Sequence, residues 1–147
     1  MHEVHGPVPG FNANTRNAGL IERMFDNLRV EQPVMRWNWT LFGEDTLHLP
    51  MAENKMARRF GDGPVAEHVF MRLERQTLRK LPRSGQILFT IRSHVDPLDV
   101  LEKHAEGPRL AAAVAEQVVA LSAEELAYKG LSDERARLLA RLDELKQ

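Results

Sequence analysis

Between residues 34 and 42 the chain reads VMRWNWTLF, and apolar and polar positions alternate along it. Met35, Trp37, Trp39 and Leu41 fall on one side; Arg36, Asn38 and Thr40 fall on the other. A period of two predicts a β-strand here. Upstream, Leu20, Ile21, Met24, Phe25 and Leu28 recur every three or four residues, the stripe of an amphipathic helix. That helix is predicted over 17–29, capped by Asn17 or a neighbour and stopped before Pro33. Residues 67–79 and 86–95 alternate again and flank LPRSG, so they predict a hairpin in which Gly85 can supply a positive φ. On its first strand Val69, Met71, Leu73 and Arg75 share a face, opposite Phe70, Arg72, Glu74 and Gln76. On the second, Ile87, Phe89, Ile91, Ser93 and Val95 oppose Leu88, Thr90, Arg92 and His94.

The period changes after residue 95. Asp96-Pro97 predicts a first helical turn continued by LDVLEKH. Gly107-Pro108 opens a helix rich in Ala, Val and Leu that runs to about Leu121. Ser122 and Glu125 form a capping box for a short helix ended by Gly130. Ser132 is the expected cap of a last helix with Leu138, Leu139, Leu142 and Leu145 on one side, a stripe suited to the core or to an oligomer contact. Between the strands, residues 43–64 form a long loop. The expectation is a single α+β domain over 1–147, with a sheet-containing part over 1–95 and a helical part over 96–147.

Composition narrows the function classes. Of 147 residues, 43% are hydrophobic, which suits one modest core. Net charge is −1, from 20 basic and 21 acidic residues, so no global field draws the chain to nucleic acid or an anionic membrane. There is no cysteine, hence no disulfide framework and no thiolate metal site. No apolar run approaches the roughly 20 residues of a membrane span. The start, MHEVHGPVPG, lacks the basic and apolar regions of a secretory signal. A cytoplasmic protein is the expectation.

The candidate chemistry is ionic and aromatic. Arg72, Glu74, Arg75 and Arg92 crowd the hairpin. A solvated sheet face with cross-strand ion pairs is the simpler account of them. Arg75 is different: it falls on the apolar face, where a buried guanidinium needs a carboxylate partner. Trp37 and Trp39 share a strand face, as core or as the wall of a flat ligand. His2 and His5 lie close in sequence, but the prolines at 7 and 9 argue against a helical metal pair. His5, before a rigid Pro-Val-Pro, suits an axial ligand better. Val4 and His5 read as the end of a strand whose partner does not precede it. No phosphate loop, GxSxG or HExxH occurs. His48, His68 and His104 have no supporting partners.

The string RLERQTLRKLPRSGQILFTIRSHVDPL, at residues 72–98, resembles the central signature of the haem-dependent oxidative N-demethylase family, long catalogued as a domain of unknown function. VHGPVPG resembles that family's I-H-x-P-V-P element, RWNWTL its R-x-N-W-S segment, and Tyr128-Lys129-Gly130 a tail element. One departure stands out: Arg92-Ser93-His94 occupies the place of an R-T-Y tripeptide. The resemblance implies a PAS-like antiparallel sheet with flanking helices, incomplete at its N-terminus, that cradles haem b. It implies an oxidoreductase, a monooxygenase acting on a small methylated amine such as dimethylamine with O2. Electrons would come from NADPH through flavin and iron–sulfur subunits. It also implies site roles. His5 would ligate the iron, with His94 as the alternative. Arg75 and Arg92 would hold propionates, Trp37 and Trp39 would pack on the porphyrin, and Glu74 with Arg72 would serve the amine and the proton. The competing reading is a non-catalytic haem or small-ligand module, or a truncated inactive relative.

Overall fold

The computed structural model describes residue 9 and residues 15–48 and 59–147. Among them lie helix α1 (Arg16–Asp26), strands β1 (Val34–Phe42), β2 (Phe70–Lys80) and β3 (Ile87–Pro97), a 3-10 helix (Leu98–Lys103), and helices α2 (Gly107–Ala120), α3 (Ala123–Lys129) and α4 (Arg135–Glu144). The class is α+β, with one three-stranded antiparallel sheet in the order β1-β2-β3 and a helical C-terminal part. The chain forms two compact units: Met1–Asn38 with Leu73–Ser93, and Trp39–Arg72 with His94–Gln147.

In the first unit, α1 starts where Thr15 accepts a hydrogen bond from the Ala18 amide at 3.3 Å. It ends three residues earlier than its apolar stripe suggests. Asn27 terminates it, donating from Nδ2 to the Arg23 carbonyl at 2.7 Å. Leu28, beyond the end, is the buried member of the stripe, while Leu20 and Met24 stay exposed.

The β2–β3 turn sets the register on which the candidate site depends. Leu81 donates to the Gln86 carbonyl at 2.8 Å, and the Gly85 amide donates to Leu81 at 3.0 Å with Gly85 at φ 69°. Glycine reaches that conformation without a Cβ penalty. At the far end of the pair, Leu98 donates to the Val69 carbonyl at 2.7 Å. Both end bonds fit one bulge-free antiparallel register. It sets Arg75 opposite Arg92, Glu74 opposite Ser93 and Gln76 opposite Ile91.

The second unit holds the core. Leu41, Phe60, Val69, Leu98, Ala111, Ala115, Val118, Leu126, Leu131, Leu138, Leu142 and Leu145 are all buried in one cluster. Burying a leucine stabilises by roughly 1.5–3 kcal/mol, so α4, whose Leu138 and Leu142 are fully covered, is held by packing more than by propensity. Its cap is Glu134, not Ser132: residues 132–134 form a turn before the helix begins. Pro97 likewise ends β3 and caps the 3-10 helix instead of opening an α-helix. The capping box of α3 forms as the sequence predicts, with Glu125 N donating to Ser122 Oγ at 3.2 Å and Ser122 N donating to Glu125 Oε2 at 2.8 Å.

Candidate functional site

Strand alternation and register sort the candidate residues into two sets. Arg36 Nε donates to Gln76 Oε1 at 2.7 Å, and Asn38 Nδ2 donates to Glu74 Oε2 at 3.3 Å. Those contacts put Arg36, Asn38, Glu74 and Gln76 on one face of the first unit. Gln76 Nε2 closes the network on Glu74 Oε2 at 2.9 Å, and Gln76 is only 7% exposed. Phe89 and Ile91 share this face and are half exposed, at 50% and 51%.

Trp37, Arg75 and Arg92 lie on the reverse face. β1 sets Trp37 beside Arg75, and β3 sets Arg92 on its other side, a row across three strands. Trp37 is 55% exposed, and Met35 on the same face is 57% exposed. Arg75 and Arg92 are both exposed. The expectation that Arg75 turns into the core and needs a carboxylate there is therefore corrected: the apolar face is covered near Leu41 but open at this end. Among the described residues neither Arg75 nor Arg92 has a salt-bridge partner. Like charges set directly opposite one another on paired strands destabilise the sheet, so an anion bound between the two would relieve that repulsion.

The two sets do not meet. Glu74 points away from Arg75 and Arg92, so one ligand lying on one face cannot touch both.

The remaining candidates belong to the second unit. The Arg72 guanidinium lies 4.2 Å over the Phe42 ring, and its Nη2 donates to the Thr46 carbonyl at 2.7 Å. Trp39 packs against the core and carries Lys129 Nζ 4.6 Å over its ring. Lys129 Nζ also donates to the Trp39 carbonyl at 2.8 Å. Trp39 is thus engaged by its own chain, through the core and Lys129. His94 is half-buried. His5, the expected iron ligand, and His2 lie outside the described residues.

Arg59 and Arg137 escaped the sequence reading, because both work on backbone carbonyls, which leave no mark in a residue pattern. Arg59 Nη2 donates to the carbonyls of Leu41 at 2.8 Å and Lys129 at 3.0 Å, with its guanidinium 4.8 Å over Phe60. Burial pushes the Arg59 pKa down, and nearby Glu134 opposes that shift. Arg137 pairs with Glu134 at 2.6 Å and donates to the carbonyls of Phe60, Gly61, Gly63 and Val65. It clips the 60–65 segment to α4. Lys129 belongs to the Tyr-Lys-Gly tail element, whose Gly130 caps α3 at φ 65°. That element ties α3 to β1. Arg141 gathers Asp99, Glu102 and Glu144 at 2.5–3.0 Å. The Asp99 hydrogen bond does most to raise its pKa.

Among the described residues no group of three or more His, Asp or Glu is arranged to hold a metal ion, and no helix is long and apolar enough to cross a membrane. Compared with known families, residues 1–139 match the model described as haem-dependent oxidative N-demethylase, alpha subunit-like.

Proposed function

The chain belongs to the haem-dependent oxidative N-demethylase alpha-subunit-like family, and from that premise we propose that it is a haem-binding subunit of an enzyme that demethylates a small methylated amine such as dimethylamine. The family's description is that of an alpha subunit, which implies an enzyme of more than one subunit. We read the three strands as part of a PAS-like sheet.

The observation that carries the proposal is the Trp37–Arg75–Arg92 row. Haem has a flat apolar body and two carboxylates on one edge. An exposed indole and two guanidiniums that make no salt bridge among the described residues match that donor and acceptor set. In a hydrogen-bonded antiparallel pair, opposite Cα atoms stand about 5.5 Å apart, close enough for two forks to take two propionates. Guanidinium suits carboxylate because its planar N–H groups bond in pairs. Met35 and Trp37 would lose their water contact under the macrocycle, which adds apolar burial to the ionic pairing. His5 is the proposed iron ligand, and His94 the alternative.

When bound, haem supplies oxygen activation, with electrons drawn from NADPH through flavin and iron–sulfur partners, so that the amine loses a methyl group as formaldehyde. The chain's own residues do the binding. Arg75 and Arg92 neutralise the propionates, and Trp37 excludes water from the porphyrin. Glu74, on the face of Arg36 and Gln76, is the carboxylate open to a protonated amine. It does not reach a porphyrin seated on the arginine face. That separation favours a second reading, a haem-binding module without catalysis of its own.

Titration of the purified chain with haem tests the proposal. The expected result is a Soret band that saturates at one haem per chain, weakened by Arg75→Leu and by Arg92→Leu but not by Arg83→Leu in the hairpin turn. An unchanged spectrum would end the haem account. Oxygen uptake with dimethylamine and the reductase partners then separates the enzyme from the module.

A further inference from the structure

Glu74 is a half-buried carboxylate without a salt bridge among the described residues. Its two hydrogen bonds come from neutral amides, and both end on Oε2. We propose that Gln76, held by Arg36, is the positioning residue that turns Glu74 Oε1 toward a small protonated alkylamine. The inference rests on the proposed reading for its choice of amine, but it needs no haem.

Arginine can only donate. Arg36 Nε sits 2.7 Å from the Gln76 side chain, so the Gln76 oxygen must face it. The Gln76 amide nitrogen is then left to face Glu74, which as a carboxylate can only accept. Gln76 is only 7% exposed, so water competes weakly with these partners. Asn38 adds a second donor to the same oxygen. With Oε2 taken twice, Oε1 is the acceptor left for a ligand.

A charged N–H donor suits it best, since hydrogen bonds to ionised groups are about twice as strong as neutral ones. Hard metal cations ask for several oxygens at once, and one carboxylate flanked by amide nitrogens does not offer them. Ile91 and Phe89, half exposed on the same face, give methyl groups an apolar neighbour. An ammonium ion with at least one N–H and one or more methyls fits both demands.

Side-chain amide NMR of the full chain tests this. The Gln76 signals are identified by their loss in Gln76→Glu, and the methyl signals of Leu28, buried in the same unit, report that each variant stays folded. The Gln76 signals should keep their position in Arg36→Lys, which still donates, and move to the position of an exposed glutamine in Arg36→Leu. Dimethylammonium chloride should shift them saturably, with affinity lowered on the order of 10-fold in Arg36→Leu and lost in Glu74→Gln. Tetramethylammonium, which has no N–H, and sodium should leave them in place. Gln76 signals that ignore Arg36→Leu, or a dimethylammonium response that survives Glu74→Gln, would overturn the proposal while leaving haem binding intact. A chain that takes dimethylammonium as expected but no haem would uphold this inference and end the haem reading.

Discussion

Arg75 stands directly across from Arg92 in the β2–β3 pair, with both guanidiniums exposed and neither in a salt bridge among the described residues. Such an arrangement costs stability without a ligand and repays it with one.

The first prediction uses that opposition. Arg75→Leu or Arg92→Leu should leave the haem-free chain as stable as the wild type, or more stable by about 0.2–1 kcal/mol. The same variants should bind haem more weakly, by on the order of 10-fold. Urea denaturation and haem titration of each variant check the two signs. Loss of stability and of haem together would make these arginines structural.

Removing Arg137 should be far more damaging. Its ion pair with Glu134 is nearly dry, with side-chain exposures of 14% and 3%. Arg137→Leu strands a buried carboxylate and frees the 60–65 segment, at a cost of about 3–5 kcal/mol. The double variant Arg137→Leu, Glu134→Gln should recover much of that loss. Urea midpoints of the three proteins decide it.

The α3 capping box has a pH signature. Hydrogen bonds from the Ser122 backbone and side chain lower the Glu125 pKa. A carboxyl lowered on folding contributes stability that is fully present above its unfolded pKa and is lost as pH falls through the folded one. Acid should therefore loosen α3. Ser122→Ala should raise the Glu125 pKa and flatten that dependence, as followed by carboxyl-carbon NMR and acid titration. An identical Glu125 titration in both proteins would show that the Ser122 hydroxyl takes no part in lowering it, the backbone bond acting alone.

Iron ligation separates two histidines. Loss of the haem spectrum in His5→Ala, with His94→Ala unaffected, is the expected outcome. The reverse would make His94 the ligand.

Local pattern carried much of this fold. β1 runs over the residues its alternation marks, because Val34–Phe42 holds no Gly or Pro to blur its ends. β2 starts at Phe70, three residues later than predicted, since His68 sits at φ 52° and cannot extend the strand. The sorting of Glu74 from Arg92 was not legible. It depends on how many residues the turn from Leu81 to Gln86 spends between the paired strands, a parity that periodicity within each strand does not contain. Exposure of Arg75 was hidden too. The apolar face of β2 is covered at Met71 and open at Leu73, and only tertiary packing sets where cover ends.

The central claim is that paired arginines on an open sheet face bind the carboxylate edge of a porphyrin. It is tested most directly by comparing the affinity of the full chain for haem and for haem with both propionates esterified. The account predicts that esterification weakens binding on the order of 10-fold or more, and that Arg75→Leu, Arg92→Leu protein no longer distinguishes the two ligands. Equal affinity of the unaltered chain for haem and its diester would contradict it.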